Sequence, residues 1–350
     1  MRYIRTQAIL ALIGLAVVGG LLYTQSQGLV TTVVPAQGGT FSEAIVGQPG
    51  QLNPLFDRGN SAERDLDRLI FSGLMKFDAD GLPMPDLAES WAVSADGLTY
   101  TFVLQDGLTW HDGFPVTQQD VLFTISLLQD PNFPGPGDLA KLWQRVAVSS
   151  PAPNTVRFVL PEPFAPFMDY VTVGLLPEHL LRGVSARQLL NHPFNFQPIG
   201  TGPLKLIALE RQDSAIVSAL LEPNSQYPGE TPYLSQIRFR FYASPEAAYE
   251  AYVAGEAQAF SDFTPKTFAA ALKNPQLEMF SSRLPEYSLV FLNQKNETAN
   301  FFQEKRVRQA LLAGLNRQLM VDTILQGQAF VAAGPILPGT WAYNDNLIPV

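Results

Sequence analysis

The chain has 350 residues, of which 46% are hydrophobic and only 16% charged, a composition that folds around a core and is far from the charge-rich, apolar-poor signature of disorder. That length allows two domains and part of a third. A net charge of -9 without any Lys/Arg cluster excludes nucleic acid as a partner, and the lack of cysteine excludes disulfides, thiolate metal sites, a cysteine nucleophile and a lipid-modified N-terminal cysteine.

Arg2 and Arg5 lead into an uncharged apolar run, Ala8 to Tyr23, followed by polar Thr24-Gln25-Ser26-Gln27, which reads as a secretion signal. The run is slightly longer than a signal peptide's usual apolar core and shorter than the roughly 20 residues that span a bilayer comfortably. Val34-Pro35-Ala36 is far from the run and Thr24-Gln25-Ser26 is poor in type as a cleavage site, so cleavage and retention both stay open, with an uncleaved anchor preferred. Residues 24–40, small and polar with Gly38-Gly39, read as a tether, and folding begins near Phe41.

Short strands then alternate with helices, with no fixed-period repeat, so the class is α/β or α+β. Asn60 and Glu63 have cap spacing ahead of Leu66, Leu69 and Ile70, which predicts a helix from Ser61 to about Phe71. Asp96-Gly97 is a turn signal before a strand over Thr99 to Gln105 that alternates Tyr100, Phe102 and Leu104 on one face. Thr117 and Asp120 cap a helix over 118–129 that ends at Asp130-Pro131. Asn154 to Leu160 alternates again and is closed by the run Pro161 to Pro166. Ser244-Pro245-Glu246 opens a helix with Ala248, Tyr249 and Tyr252 inward and Gly255 as its stop. Val307, Leu311 and Leu315 mark one helix; Asn316 caps a second that carries Leu319, Met320 and Ile324 and stops at Gly327, an αα-hairpin.

Catalytic motifs fail in turn. There is no GxxxxGK[ST], HExxH or GxSxG. Gly200-Thr201-Gly202-Pro203 lacks the third glycine of a dinucleotide loop, and its proline removes an N–H that a phosphate would need. Asp78, Asp80 and Glu89 have calcium-loop spacing, but Leu82 and Pro83 stand where a ligand and a turn glycine belong, so a surface turn is the better reading. His111, His179 and His192 show no metal spacing, and His111-Asp112, being adjacent, points to opposite faces of extended chain. No carboxylate pair stands out for glycoside hydrolysis.

The ordered strings Leu52-Asn53-Pro54-Leu55, Leu87 to Trp91, Asp96 to Phe102, Trp110-His111-Asp112-Gly113, Pro115 to Val121, Pro198 to Pro203, and Arg306 to Leu311 leading to Gly334 to Pro338 resemble the family 5 solute-binding proteins, the peptide- and nickel-type receptors of ABC importers. The resemblance covers residues 41–350. It implies an α/β, two-lobed fold of the periplasmic-binding-protein type II kind with an inserted third domain, the lobes closing on ligand about a hinge of two crossing strands. On this chain, lobe I would take 41–70 and 175–283, the inserted domain 71–174, and the second lobe would begin at 284. Relatives continue past position 350, so the resemblance implies a second lobe left incomplete here.

The same resemblance implies capture of an oligopeptide or similar small solute outside the cytoplasmic membrane, delivery to ABC-transporter permease subunits, a monomeric state and no cofactor or catalysis. It places Arg58, Gly59 and Asn60 at the cleft. Arg58 would pair with a ligand carboxylate, Gly59 would allow close backbone approach, and Asn60 opens a helix whose N–H groups favour anions; a solvated loop with an ordinary cap is the alternative. Phe133, in the loop Asn132 to Asp138, is either a lid aromatic or packing under that loop. Arg283, Tyr287 and Ser288 match ligand-facing positions near the hinge, with strand core as the other reading of Tyr287. The competing functions are a truncated or split receptor that does not transport and an exported hydrolase on an unrelated fold.

Overall fold

The structure is a computed structural model that describes residues 3, 7, 12–20, 36–57, 59–78, 81–213, 215–229, 232–280, 286–338, 343, 344 and 346. It divides into Met1–Gly38 and Gly39–Val350. In the first unit residues 12–20 are helical and exposed, and the rest of the Ala8 to Tyr23 run lies outside the described residues. Among the described residues no helix is long and apolar enough to cross a membrane.

The second unit opens with β1 (Thr40–Val46) and α1 (Ser61–Ile70). Asn60 starts the helix as its side-chain oxygen accepts from the Ala62 and Glu63 amides, and the chain leaves it at Phe71 in extended conformation. Ala62, Leu66 and Ile70 recur at helical spacing and are fully buried. β2 (Met75–Phe77) and β3 (Pro83–Pro85) form a small ladder closed by Asp78, whose Oδ1 accepts from the Leu82 amide at 2.8 Å. The surface turn expected there is what forms, with Asp80 outside the described residues.

Four antiparallel strands follow, β4 (Ala88–Val93), β5 (Thr99–Leu104), β6 (Ala147–Ala152) and β7 (Thr155–Val159), in the order β4-β5-β7-β6. Between β5 and β6 run α2 (Gln118–Gln129), opened by the Thr117/Asp120 capping box, and α3 (Gly137–Trp143). The alternation read in β5 and β7 is the inner face: Tyr100, Phe102, Leu104, Val156 and Phe158 are buried, and so are Val121, Ile125 and Leu128 of α2. Phe158 lies between Phe102, Trp143 and Phe167, with ring centroids 5.8, 5.6 and 5.6 Å away. Truncating such a ring costs about 3–5 kcal/mol.

Single helical turns at Phe167–Tyr170, Glu178–Leu181 and Ala186–Leu189 lead back to the first sheet. There β8 (Leu204–Gln212), β9 (Ala215–Pro223), β10 (Gln236–Tyr242) and β11 (Ala259–Phe260) join β1 in the order β11-β1-β10-β9-β8, with β1 parallel to both β10 and β11. α4 (Pro245–Val253) crosses between β10 and β11, capped by Ser244 and halted where Gly255 takes φ +78°. Ala248 is buried against Ala44, while Tyr249 and Tyr252 lie against Phe260 at 5.4 and 5.3 Å. α5 (Pro265–Ala271) follows.

The Gly200–Pro203 turn seals the end of α1. A Cβ on Gly200 would fall onto the Ile70 carbonyl, and the Gly202 amide donates to that carbonyl at 2.8 Å. These glycines serve close backbone packing, not a phosphate.

α6 (Lys305–Gly314), the Asn316-capped turn Arg317–Leu319 and the π-turn Met320–Ile324 supply the expected helical pair, and Gly327 again stops it at φ +78°. Its apolar stripe differs from expectation: Leu311, Leu315, Leu319, Met320 and Ile324 are exposed, and only Val321 of residues 286–338 is a buried hydrophobic. Periodicity specifies which face seeks cover, and no described element provides it. Residues 286–293 contain no strand, and Tyr287 is 47% exposed, which removes the strand-core reading of that side chain.

Candidate ligand-binding site

In open sheets with parallel strands, ligands settle at the carboxyl ends of the strands. Here the chain leaves the carboxyl end of β1 at Gly47 and makes a long loop, 47–60, before α1; the segments after β10 and β11 leave the same edge. Gly47 needs φ +143°, and a Cβ there would press on Ala62 at 3.0 Å.

The loop is held at many points. Asn60 donates from Nδ2 to the Gln48 carbonyl at 3.0 Å, and Glu63 Oε1 accepts from the Gly50 and Gln51 amides at 2.6 and 3.4 Å. Asn53, 1% exposed, accepts on Oδ1 from the Leu55 amide at 3.1 Å. Asp57 Oδ1 accepts from the Gly59 amide at 2.9 Å, an Asx turn that places Gly59 at φ +89°. Phe56 is buried, and Phe133 stacks on it at 5.7 Å with the planes 19° apart. Gly135 allows this approach, because a Cβ there would meet the Phe133 ring and the Leu55 carbonyl.

Phe133, far in sequence from the adjacent Gly59 and Asn60, therefore belongs to their neighbourhood: its ring touches the loop that carries them. Phe133 is partly buried and packs on Phe56. Two of the α1 amides that an anion would need are taken by Asn60 itself. Carboxylates gather at this edge. Burial pushes Glu43 upward, with Asp65 adding repulsion; burial also raises Asp65, Arg64 and Arg68 pull it back, and Asp262 and Asp57 add to the rise. Arg58 and Arg283 lie outside the described residues. Tyr287 and Ser288 sit on exposed, irregular chain.

Beneath the loop, Asp67 is 5% exposed on the inward side of α1 and neither oxygen has a hydrogen-bond partner of normal geometry. Burial drives its pKa well above the ordinary carboxylate value, Glu63 and Asp57 add repulsion, and the nearby Asn53 backbone offsets this in part. Sequence reasoning missed this residue, since its spacing from Glu63 looks like an ordinary polar helix face.

The histidines do structural work. His111 accepts from the Gly200 amide on Nδ1 at 3.2 Å and its Nε2 lies 3.0 Å from the Gly202 carbonyl, which assigns the proton to Nε2. Burial lowers its pKa, the Gly202 carbonyl pulls it up, Lys205 lowers it further and Asp112 raises it. Asp112 turns the other way, to His179 Nε2 at 2.9 Å, and Phe114 stacks on that imidazole at 4.1 Å. His111 and Asp112 thus face apart, as adjacent residues should, whereas the Asp112–His179 pair joins segments that no spacing connects. Among the described residues no group of three or more such side chains could hold a metal ion.

Comparison with known proteins assigns this architecture. Residues 83–350 match the profile of the bacterial extracellular solute-binding proteins, family 5 middle region. The oligopeptide-binding protein AppA of Bacillus subtilis is 29% identical over 318 residues, covering 89% of this chain and 56% of that protein. The structure of AppA from Bacillus subtilis in complex with a nonapeptide superposes with a TM-score of 0.70 at 27% identity, over 89% of this chain and 61% of the other. NikZ from Campylobacter jejuni in complex with Ni(L-His) gives 0.72 at 27%, over 88% and 59%. The chain thus spans somewhat more than half the length of these relatives. From the clasped loop at the sheet edge to the profile match over most of its length, the chain belongs to family 5 of the bacterial extracellular solute-binding proteins.

Proposed function

We propose that the protein captures a peptide outside the cytoplasmic membrane and delivers it to the permease subunits of an ABC importer. The observation that carries this reading is the likeness to AppA bound to a nonapeptide, together with a rigidly held loop at the carboxyl edge of β1, where such a fold takes its ligand. Capture needs no bond-making. A ligand that contacts two lobes at once favours the closed arrangement by its differential affinity, and main-chain hydrogen bonds to a peptide are independent of sequence.

In this reading lobe I comprises 41–70 and 175–283, the inserted domain 71–174, and the second lobe starts at 284. Arg58, Gly59, Asn60 and Phe133 form one wall, and Arg283, Tyr287 and Ser288 face the ligand near the hinge. The apolar run 8–23 directs export and tethers a monomer to the membrane. The test is mass spectrometry of whatever is released from protein purified without denaturation. Peptides are expected; a sugar or a nickel chelate in their place would sink the reading, and the likeness to NikZ makes the chelate the outcome to look for first.

A further inference from the structure

Asn195 lies in the 3₁₀ turn Pro193–Phe196, 142 residues along the chain from Asn53, and is 1% exposed. All its polar groups are engaged. Oδ1 accepts from Asn53 Nδ2 at 2.9 Å; Nδ2 donates towards the Leu189 carbonyl at 2.9 Å, the Leu190 carbonyl at 3.1 Å and Gln51 Oε1 at 3.2 Å. Its backbone carbonyl accepts from the Leu52 amide at 2.9 Å, and its amide donates to the His192 carbonyl at 3.0 Å. Asn53 relays the contact, taking the Leu55 amide on its side chain and the Phe56 amide on its carbonyl. The opposite side of the loop is closed by Phe133 on Phe56.

Few side chains can do this. The carbonyls of Leu189 and Leu190 and the Gln51 oxygen need donors while Asn53 needs an acceptor, and a primary amide supplies both within one small group. Apart from the 3₁₀ bond to His192, these bonds are tertiary: they tie residues 51–56 to the 189–195 segment. A loop free to leave its binding geometry weakens affinity in proportion to the time spent away.

We propose that Asn195 is the positioning residue that fixes residues 51–57, and through them the Asp57–Asn60 segment, in the geometry that receives ligand. The inference rests on the capture reading above.

The test uses Asn195→Asp and Asn195→Ser in the whole chain, with Val156→Ala in β7 as a control that destabilises the distant sheet. Hydrogen exchange of peptides covering 50–60 is read without ligand, and affinity for a nonapeptide pool is read by calorimetry. Both Asn195 variants should exchange the Leu52 and Leu55 amides about tenfold faster or more, with β5 and β7 unchanged. Nonapeptide affinity should fall by about tenfold. Asn195→Asp should recover part of both effects as pH falls, because a protonated carboxyl regains one donor. Val156→Ala should lower the melting temperature without moving either readout. Wild-type exchange at 50–60 in both variants would overturn the proposal, and so would faster exchange with unchanged affinity. A wild type that takes none of the nonapeptides defeats the capture reading instead, and exchange alone then decides whether Asn195 holds the loop.

Discussion

Replacing Asp67 by asparagine should stabilise the protein, and do so only at neutral and alkaline pH. The carboxyl is buried on α1, neither oxygen is properly partnered, and Glu63 and Asp57 oppose its ionisation. Its folded pKa lies above the unfolded value of 3.8, so the stability it contributes is fully present below that value and is lost as pH rises through the folded pKa. Asparagine has the same outline and never ionises. A buried polar group left unsatisfied costs about 1–3 kcal/mol, and since the new amide also lacks a full set of partners the gain should be about 1–2 kcal/mol. At about 2–4 °C per kcal/mol for a body of this order, Asp67→Asn should melt about 2–8 °C above the wild type at pH 8. Melting followed by circular dichroism at pH 4 and pH 8 is the assay, and the gap should close at pH 4. A variant that melts at or below the wild type at pH 8 would mean that the carboxylate is charged and paired, a gap independent of pH would mean that folding does not raise its pKa, and on either result the argument would fall.

Three other outcomes are expected. Protonating His111 removes the lone pair that receives the Gly200 amide; because its folded pKa lies below 6.5, the stability it contributes is present above that value and is lost as pH falls through the folded pKa. The urea midpoint of the wild type should therefore drop between pH 7.5 and pH 5, and His111→Gln, about 1–2 kcal/mol less stable at pH 7.5, should show a flatter profile. Gly200→Ala, which drives a methyl into the Ile70 carbonyl, should cost about 3 kcal/mol or prevent folding, whereas Gly137→Ala, which meets open space, should change stability by less than about 0.5 kcal/mol in denaturant titration. Asn60→Ala should cost about 1–2 kcal/mol through the lost cap and the lost bond to the Gln48 carbonyl, and Asn60→Gly less than that, since glycine is itself a fair cap, as measured by thermal melts.

What was legible in the sequence follows how local its cause is. Thr117 and Asp120 close a capping box within four residues, and the helix predicted over 118–129 has those bounds. Alternation in Thr99 to Gln105 gave the buried face of β5 because neighbouring residues point to opposite sides whatever the partner strand is. α3 was hidden: Pro136 provides no side-chain cap, and a loop reading of 132–138 overlaps its start. The site was legible only in part. Asn60 announced itself as a cap, and Phe133 as an aromatic in a proline-rich loop, but their meeting through Phe56 is tertiary. Asn195 and Asp67 carry no local mark, because what distinguishes them is burial and the identity of groups supplied from distant segments.

The parallel pairing of β1 with β10 bears on timing. Thr40 meets Gln236, 196 residues later, so β1 waits with both edges bare while that stretch is synthesised. At about 5–20 residues per second the delay is about 10–40 s. The four-stranded sheet, complete within Ala88–Val159, is under no such constraint. The leading strand of the nascent polypeptide therefore stays unpaired while the middle of the chain can already fold.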